Sequence, residues 1–163
     1  MRDGAQKHAG KRLTIYLLIL HGLCAVALLG AITHQAASAW APAKGGASFL
    51  TRFRAVNASS YVNAVIVLFI VTFALGAIVY PAYRIGARIY MEDLRMSKPV
   101  GSFEVKEHLV TFGLGFLPAY WYYWRAPRAS ENDAVRKWLT LILALIVWSA
   151  FLIGHILNNT KGL

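Results

Sequence analysis

Charge is scarce in this chain: of its 163 residues only 15% are Asp, Glu, Lys or Arg. Soluble domains carry nearer a quarter of such residues, so a water-soluble globule of this composition would lack the polar surface to coat itself. Acids are scarcer still, 7 against 17 Lys and Arg, and none stands in the core of an apolar run. That argues against a pump or transporter working through carboxylates at membrane depth. Cysteine occurs once, at Cys24. An intrachain disulfide is therefore impossible, and no CxxC or CxxCH is present for zinc, dithiol chemistry or covalent haem attachment. Cys24 itself reads as a small buried hydrophobe. P-loop, GxSxG, HExxH and paired-carboxylate motifs are also missing, which leaves no catalytic centre of the soluble type. The chain shows no internal repeat and no low-complexity tail.

Apolar residues are what the chain has instead, 58% of it, with a mean hydropathy of +0.50. A helix needs about 20 apolar residues to cross the hydrocarbon core, and four stretches offer them. The first runs from about Leu13 to Trp40 without a formal charge. The second runs from about Tyr61 to Tyr83 and contains VNAVIVLFIVTFALGAIVY. The third is HLVTFGLGFLPAYWYYW, extended back to Phe103 with Ser102 as its cap and Glu104 in the electropositive first turn, giving a span of 103–124. The fourth runs from Trp138 to about Leu157. The expected fold is an all-α, integral membrane four-helix bundle forming one domain. Lys7, Lys11, Arg12 and the small-residue triplet Ala37-Ser38-Ala39 have the outline of a signal peptide, but the apolar run is too long for a signal core. It is read as a retained helix.

The net charge of +10 sits in the short stretches between apolar runs, where Lys and Arg orient helices and meet anionic headgroups. No basic helix or stacking platform remains for nucleic acid once the spans are assigned. With the N-terminus inside, Arg2, Lys7, Lys11, Arg12, Arg84, Arg88, Arg95, Lys98, Lys106 and Lys161 are inner, and Lys44, Arg52, Arg54, Arg125, Arg128, Arg136 and Lys137 outer. Ten against seven places both termini in the cytoplasm, and the expected location is a bacterial inner (cytoplasmic) membrane. Tyr120, Trp121, Tyr122, Tyr123, Trp124 and Trp138 are expected to form one interfacial belt. Between the second and third spans, Arg84 and Arg88 begin a basic stalk at the headgroups, and Pro99 and Gly101 are expected to break the chain. Glu92, Asp93, Arg95, Glu104, Lys106 and Glu107 read as solvated or interfacial ion pairs.

Helices in lipid associate through close packing and hydrogen bonds. Ala27, Ala31, His34 and Ser38 recur on one face of the first helix with Gly30 beside them. Gly76 and Ala77 in the second helix, and Gly113 and Gly115 in the third, are further candidate contacts. Asn63, Thr72, Thr111 and Ser149 are candidate hydrogen-bonding positions, and Pro118 is expected to kink the third helix.

Five histidines are present. His8 falls in the polar N-terminal arm, and the other four lie in or at the ends of spans. Ionisable groups at membrane depth are costly and point to function; neutral imidazole is the cheapest of them, because one ring nitrogen can donate to a carbonyl. His21 is the deepest, roughly 12 Å from the inner end by the helical rise. His108 and His155 sit near the inner edge and His34 near the outer. A b-type haem takes one or two axial imidazoles; His21 with His155 is the best pair, His108 the substitute, and Gly22 and Gly154 adjoin that pair with room for a macrocycle. His21 and His34 point roughly 140° apart around their helix, which opposes two stacked haems. The competing readings are that these histidines are purely structural, or that they handle a metal ion or protons.

The string LHGLCAVALLGAITHQ resembles the first helix of small cytochrome b-like bacterial membrane proteins, the copper-resistance D-like group, with its LHxxxAxxxxG pattern. The likeness covers about 16 residues of the 163. It implies a haem-bearing or redox-complex bundle, and only His21 carries over. The expectation is a cytochrome b-like electron-transfer protein or redox-complex subunit binding haem b, exchanging electrons with quinone or a partner subunit. The alternatives are a non-catalytic accessory subunit of a larger respiratory or photosynthetic membrane complex and, third, a small transporter.

Overall fold

The computed structural model describes the backbone of residues 2–40, 48–126 and 130–160, and the side chains of these except 2–9, 50, 53–54, 130–131 and 160. The elements are α1 (Arg2–Trp40), α2 (Phe49–Arg54), a 3-10 turn (Ala58–Tyr61), α3 (Val62–Tyr83), a π-turn (Arg84–Arg88), α4 (Ile89–Asp93), α5 (Ser97–Arg125) and α6 (Ser130–Thr160). No strand occurs among the described residues, so the all-α expectation holds. The four long helices form a ring: α1 packs on α3 and α6, and α5 closes it against α6 and α3.

Three stretches, Gly10–Trp40, Ala58–Asp93 and Asn132–Asn159, are long and apolar enough to cross a membrane. The chain is an integral membrane helical bundle. Helix α5, with 29 residues, is long enough but not as apolar, because Lys98, Glu104, Lys106 and Glu107 crowd its first turns. Large aliphatic side chains on the outer surface, among them Ile19, Leu23, Val67, Ile78, Leu145 and Ile156, are the faces expected to meet lipid tails.

The helices meet along stripes spaced alternately three and four residues apart, the register that keeps one face toward a neighbour. On α1 the stripe runs through His21, Leu28, Ile32 and Gln35; on α3 through Val65, Phe69, Thr72, Gly76, Val79 and Tyr83; on α5 through Phe103, Lys106, Val110, Gly113, Leu117 and Tyr120. Leu28, Ile32, Val65, Phe69, Leu117, Tyr120, Leu143 and Val147 are the buried core of the bundle. A second cluster at the inner end joins Tyr83, Ala87 and Met91 to Tyr80, Val100 and Phe103. There the buried spacing lengthens to four and four, because the π-turn inserts an extra residue between Tyr83 and Met91.

The outer half is tied by polar groups. Tyr120 donates to Oε1 of the buried Gln35 at 2.5 Å, and Trp124 donates to Thr140 at 3.1 Å. The buried Arg136 donates to the carbonyls of Tyr123 and Ala126, each at 2.7 Å. Those carbonyls are orphaned at the end of α5, so one guanidinium on α6 caps its neighbour. Arg125 reaches Asn63 of α3 at 3.0 Å.

Several expectations need correction. Helix α5 begins at Ser97, not Phe103, and Ser102 does not cap it; Met96 precedes the first turn without a side-chain cap bond. Pro99 and Gly101 lie inside that helix. Pro99 falls in the first turn, where its missing N–H has no partner to lose. The chain instead turns at Leu94–Met96, where Arg95 has a positive φ of 55°. Tyr120 is core rather than belt, whereas Trp121, Tyr122 and Trp138 are exposed. On α1, His34 and Ser38 are buried but Ala27 and Gly30 are not, and Cβ atoms added at Gly30 or Gly115 would meet nothing. Close approach occurs at Gly113, where a Cβ would come within 2.6 Å of Phe69 and 3.2 Å of Ile146. Among the described residues, Thr111 bonds within its own helix, to the Glu107 carbonyl. Lys44, Arg128 and Lys161, used to orient the chain, lie outside the described residues, as do the side chains of Arg2, Lys7, His8 and Arg54.

Candidate functional site

The inner half of the ring is not filled. A cavity of about 660 Å³ lies between α1, α3, α5 and α6, within the usual ~300–1,000 Å³ of cofactor and small-molecule sites. Its lining is largely apolar, including Leu28, Phe69, Phe73, Ile146 and Val147, with a few polar groups among them: His21, Thr72, Tyr83, Lys106, Glu107 and His155.

His21 is held from α3. Its Nδ1–H donates to the Thr72 carbonyl at 2.9 Å, since a carbonyl can only accept, and this leaves Nε2 as the nitrogen with the lone pair. Imidazoles that ligate metals commonly donate their other N–H to a carbonyl or carboxylate, which fixes tautomer and ring plane. The ring rests on Gly76, where a Cβ would approach Cε1 to 3.1 Å. Beside it on α1, a Cβ at Gly22 would meet nothing within 4 Å, so that wall of the cavity is open to a ligand.

The other histidines are distributed unevenly. His155 lines the same cavity, so the pair singled out by depth is brought to one chamber. Its ring stacks on Phe151, and Asn159 Nδ2 donates to its Nε2 at 3.1 Å and to its carbonyl at 3.0 Å. As a ligand it would have to release that bond. His108 is exposed, donates to the Glu104 carbonyl at 2.7 Å and does not line the cavity. His34 is buried in the outer half against the Tyr61 ring, with centroids 4.8 Å apart. Neither His108 nor His34 therefore meets His21 in the chamber. Of the two adjoining glycines, Gly22 leaves open space, while Gly154 is approached by the Lys106 side chain, 3.6 Å from Nζ to an added Cβ.

Lys106 was expected among solvated ion pairs, and this is corrected. Arg88 takes two of the acids, Glu92 at 2.7 Å and Glu104 at 3.1 Å, whereas Lys106 turns inward toward Gly154 of α6. Its Nζ lies 5.1 Å from the Phe103 ring centroid. Phe103 in turn stacks on Tyr83 at 3.9 Å. The hydroxyls of Tyr83 and Thr72 are buried without a hydrogen-bond partner. The signal for Lys106 was in the spacing: it falls three and four residues from Phe103 and Val110, on the stripe that carries Gly113, Leu117 and Tyr120.

Among the described residues no three His, Cys, Asp or Glu side chains gather as a metal-ion cluster; a haem iron asks for fewer. Fold and site together define an integral membrane helical bundle with a half-open, mostly apolar cavity between its four long helices and an oriented imidazole, His21, in its lining. No known protein family, curated protein or solved structure matches the chain.

Proposed function

We propose that the chain is a membrane-embedded electron-transfer protein or redox-complex subunit that binds haem b in this cavity, with His21 as an axial ligand. The observation that carries the reading is the His21–Thr72 bond, which leaves Nε2 with the lone pair on a ring that lines a cavity of about 660 Å³. The residues fit the group in kind. Aromatic and aliphatic side chains line the walls, Gly22 leaves one wall open, and Lys106 supplies a cation for the acidic edge of the ring. His155 is the second ligand, after exchange of its bond to Asn159. Bound haem would supply a one-electron couple, tuned by its axial ligands and by burial. The protein's part would be to orient His21, exclude water with the apolar lining and offer Lys106 to the acid groups of the ring. Electron donor and acceptor would be quinone or a neighbouring subunit, in a bacterial cytoplasmic membrane with both termini inside.

The test is a visible spectrum of the full chain purified in detergent from cells making haem. We expect a dithionite-reduced α-band in the b-type region, lost in His21→Ala while helicity is kept. A featureless spectrum of the unmodified chain overturns the reading and leaves the accessory-subunit alternative.

A further inference from the structure

We infer that Lys106 and Tyr83 form a carboxylate-binding subsite at the inner end of the cavity, built for the acid group of a ligand whose remaining body is apolar. A lysine turned inward in a membrane bundle is costly, and it is kept where it meets a partner. Within the described residues Lys106 has no carboxylate in ion-pair range. Its Nζ lies over the Phe103 ring. That ring stacks on Tyr83, whose residue is 8% exposed and whose hydroxyl is buried and unpartnered. Both side chains line the cavity. An ammonium and a buried hydroxyl beside apolar walls are matched by an anionic acceptor with a hydrophobic tail or ring. Charge-assisted hydrogen bonds of that kind are short and strong.

Glu107 lines the same cavity and opposes an anion there. It sits one residue from Lys106, about 100° around the helix, so it lowers the affinity without occupying the lysine. The carboxylate has two sources of the same chemistry, the propionates of haem and the head of a long-chain fatty acid. The subsite shares its chamber with the haem reading but does not depend on it.

The experiment titrates the purified full chain with haemin and haemin dimethyl ester, and separately with palmitate and methyl palmitate. Binding is followed by the haem absorption band and by native mass spectrometry. The acid form should bind more tightly than its ester by on the order of ten- to a hundredfold. Lys106→Met should erase that preference, Tyr83→Phe should reduce it, and Glu107→Gln should enlarge it. Thermal melts confirm folding, and Tyr83→Phe carries the test if Lys106→Met does not fold. An acid preference for haemin that His21→Ala removes identifies the propionates. A preference for palmitate that survives His21→Ala identifies a fatty carboxylate, and with no haem bound it sustains the subsite while the haem reading falls. Equal binding of acid and ester for both ligands overturns the subsite, as does a preference undiminished in Lys106→Met; if haemin still binds, the haem reading stands alone.

Discussion

The imidazole of His21 occupies the space that Gly76 leaves empty: a Cβ on that glycine would lie 3.1 Å from Cε1 and 3.5 Å from Nδ1. One turn earlier on the same helix, the Thr72 carbonyl takes the Nδ1 proton. Position and tautomer of the ring are thus both set by α3. Gly76→Ala asks the ring to give by a few tenths of an ångström. Gly76→Val cannot be met that way, and we expect it to displace His21 from Thr72. The check is the His21-dependent haem band, lost in the valine variant and retained, at shifted position or intensity, in the alanine one.

At Gly113 the contact is tighter and the neighbour less free. A Cβ there would meet the buried Phe69 ring at 2.6 Å. We expect Gly113→Ala to destabilise the bundle by about 1–3 kcal/mol, the usual cost of overpacking. Gly30→Ala, which meets open space, should be neutral. Denaturant unfolding in detergent, followed by circular dichroism, separates the two.

Arg136 closes the outer end through a fork that a lysine cannot copy. Two carbonyls of α5 receive different nitrogens of the same guanidinium, and Lys offers a point charge without that planar geometry. Arg136→Lys should cost about 2 kcal/mol, near the value of one hydrogen bond to a buried charged group, and Arg136→Met more. Thermal melts of the two variants give the order.

Tyr120 and Gln35 join α5 to α1 by a buried side-chain bond. Tyr120→Phe leaves the Gln35 oxygen without its donor, at an expected cost of about 1–2 kcal/mol. A double variant, Tyr120→Phe with Gln35→Leu, should recover part of it, because removing both partners costs less than orphaning one.

The length of the chain that lives in lipid was plain from composition, because hydrocarbon leaves no choice but a long apolar helix with its amides bonded internally. The rotation of each helix was not. Ala27 and Gly30 are small residues like Gly76 and Gly113, but packing depends on which face meets a neighbour, and only the latter pair face in. Pro99 read as a breaker because a proline usually is one; in the first turn it costs nothing. Lys106 read as solvated because it stands in the charged string EVKEH, where local sequence outvotes the longer three-and-four spacing. His21 was legible from depth alone, whereas its orienting carbonyl lies 51 residues away on another helix, where no local pattern reaches.

The membrane topology has its own test. In a Cys24→Ala background, cysteines placed at Lys11 and Asn159 should both react with an impermeant reagent added from the cytoplasmic side, and one at Ala55 only from the other. Opposite sidedness of Lys11 and Asn159 would mean that α5 does not cross the bilayer with the other three helices.

The most direct measurement is the haem content of the purified chain, by alkaline pyridine extraction, set beside the same measurement on His21→Ala. We expect near-stoichiometric haem b in the unmodified protein and almost none in the variant at equal helicity. A monodisperse, helical protein without haem, or a variant that keeps it, would contradict His21 as the ligand on which the proposed function rests.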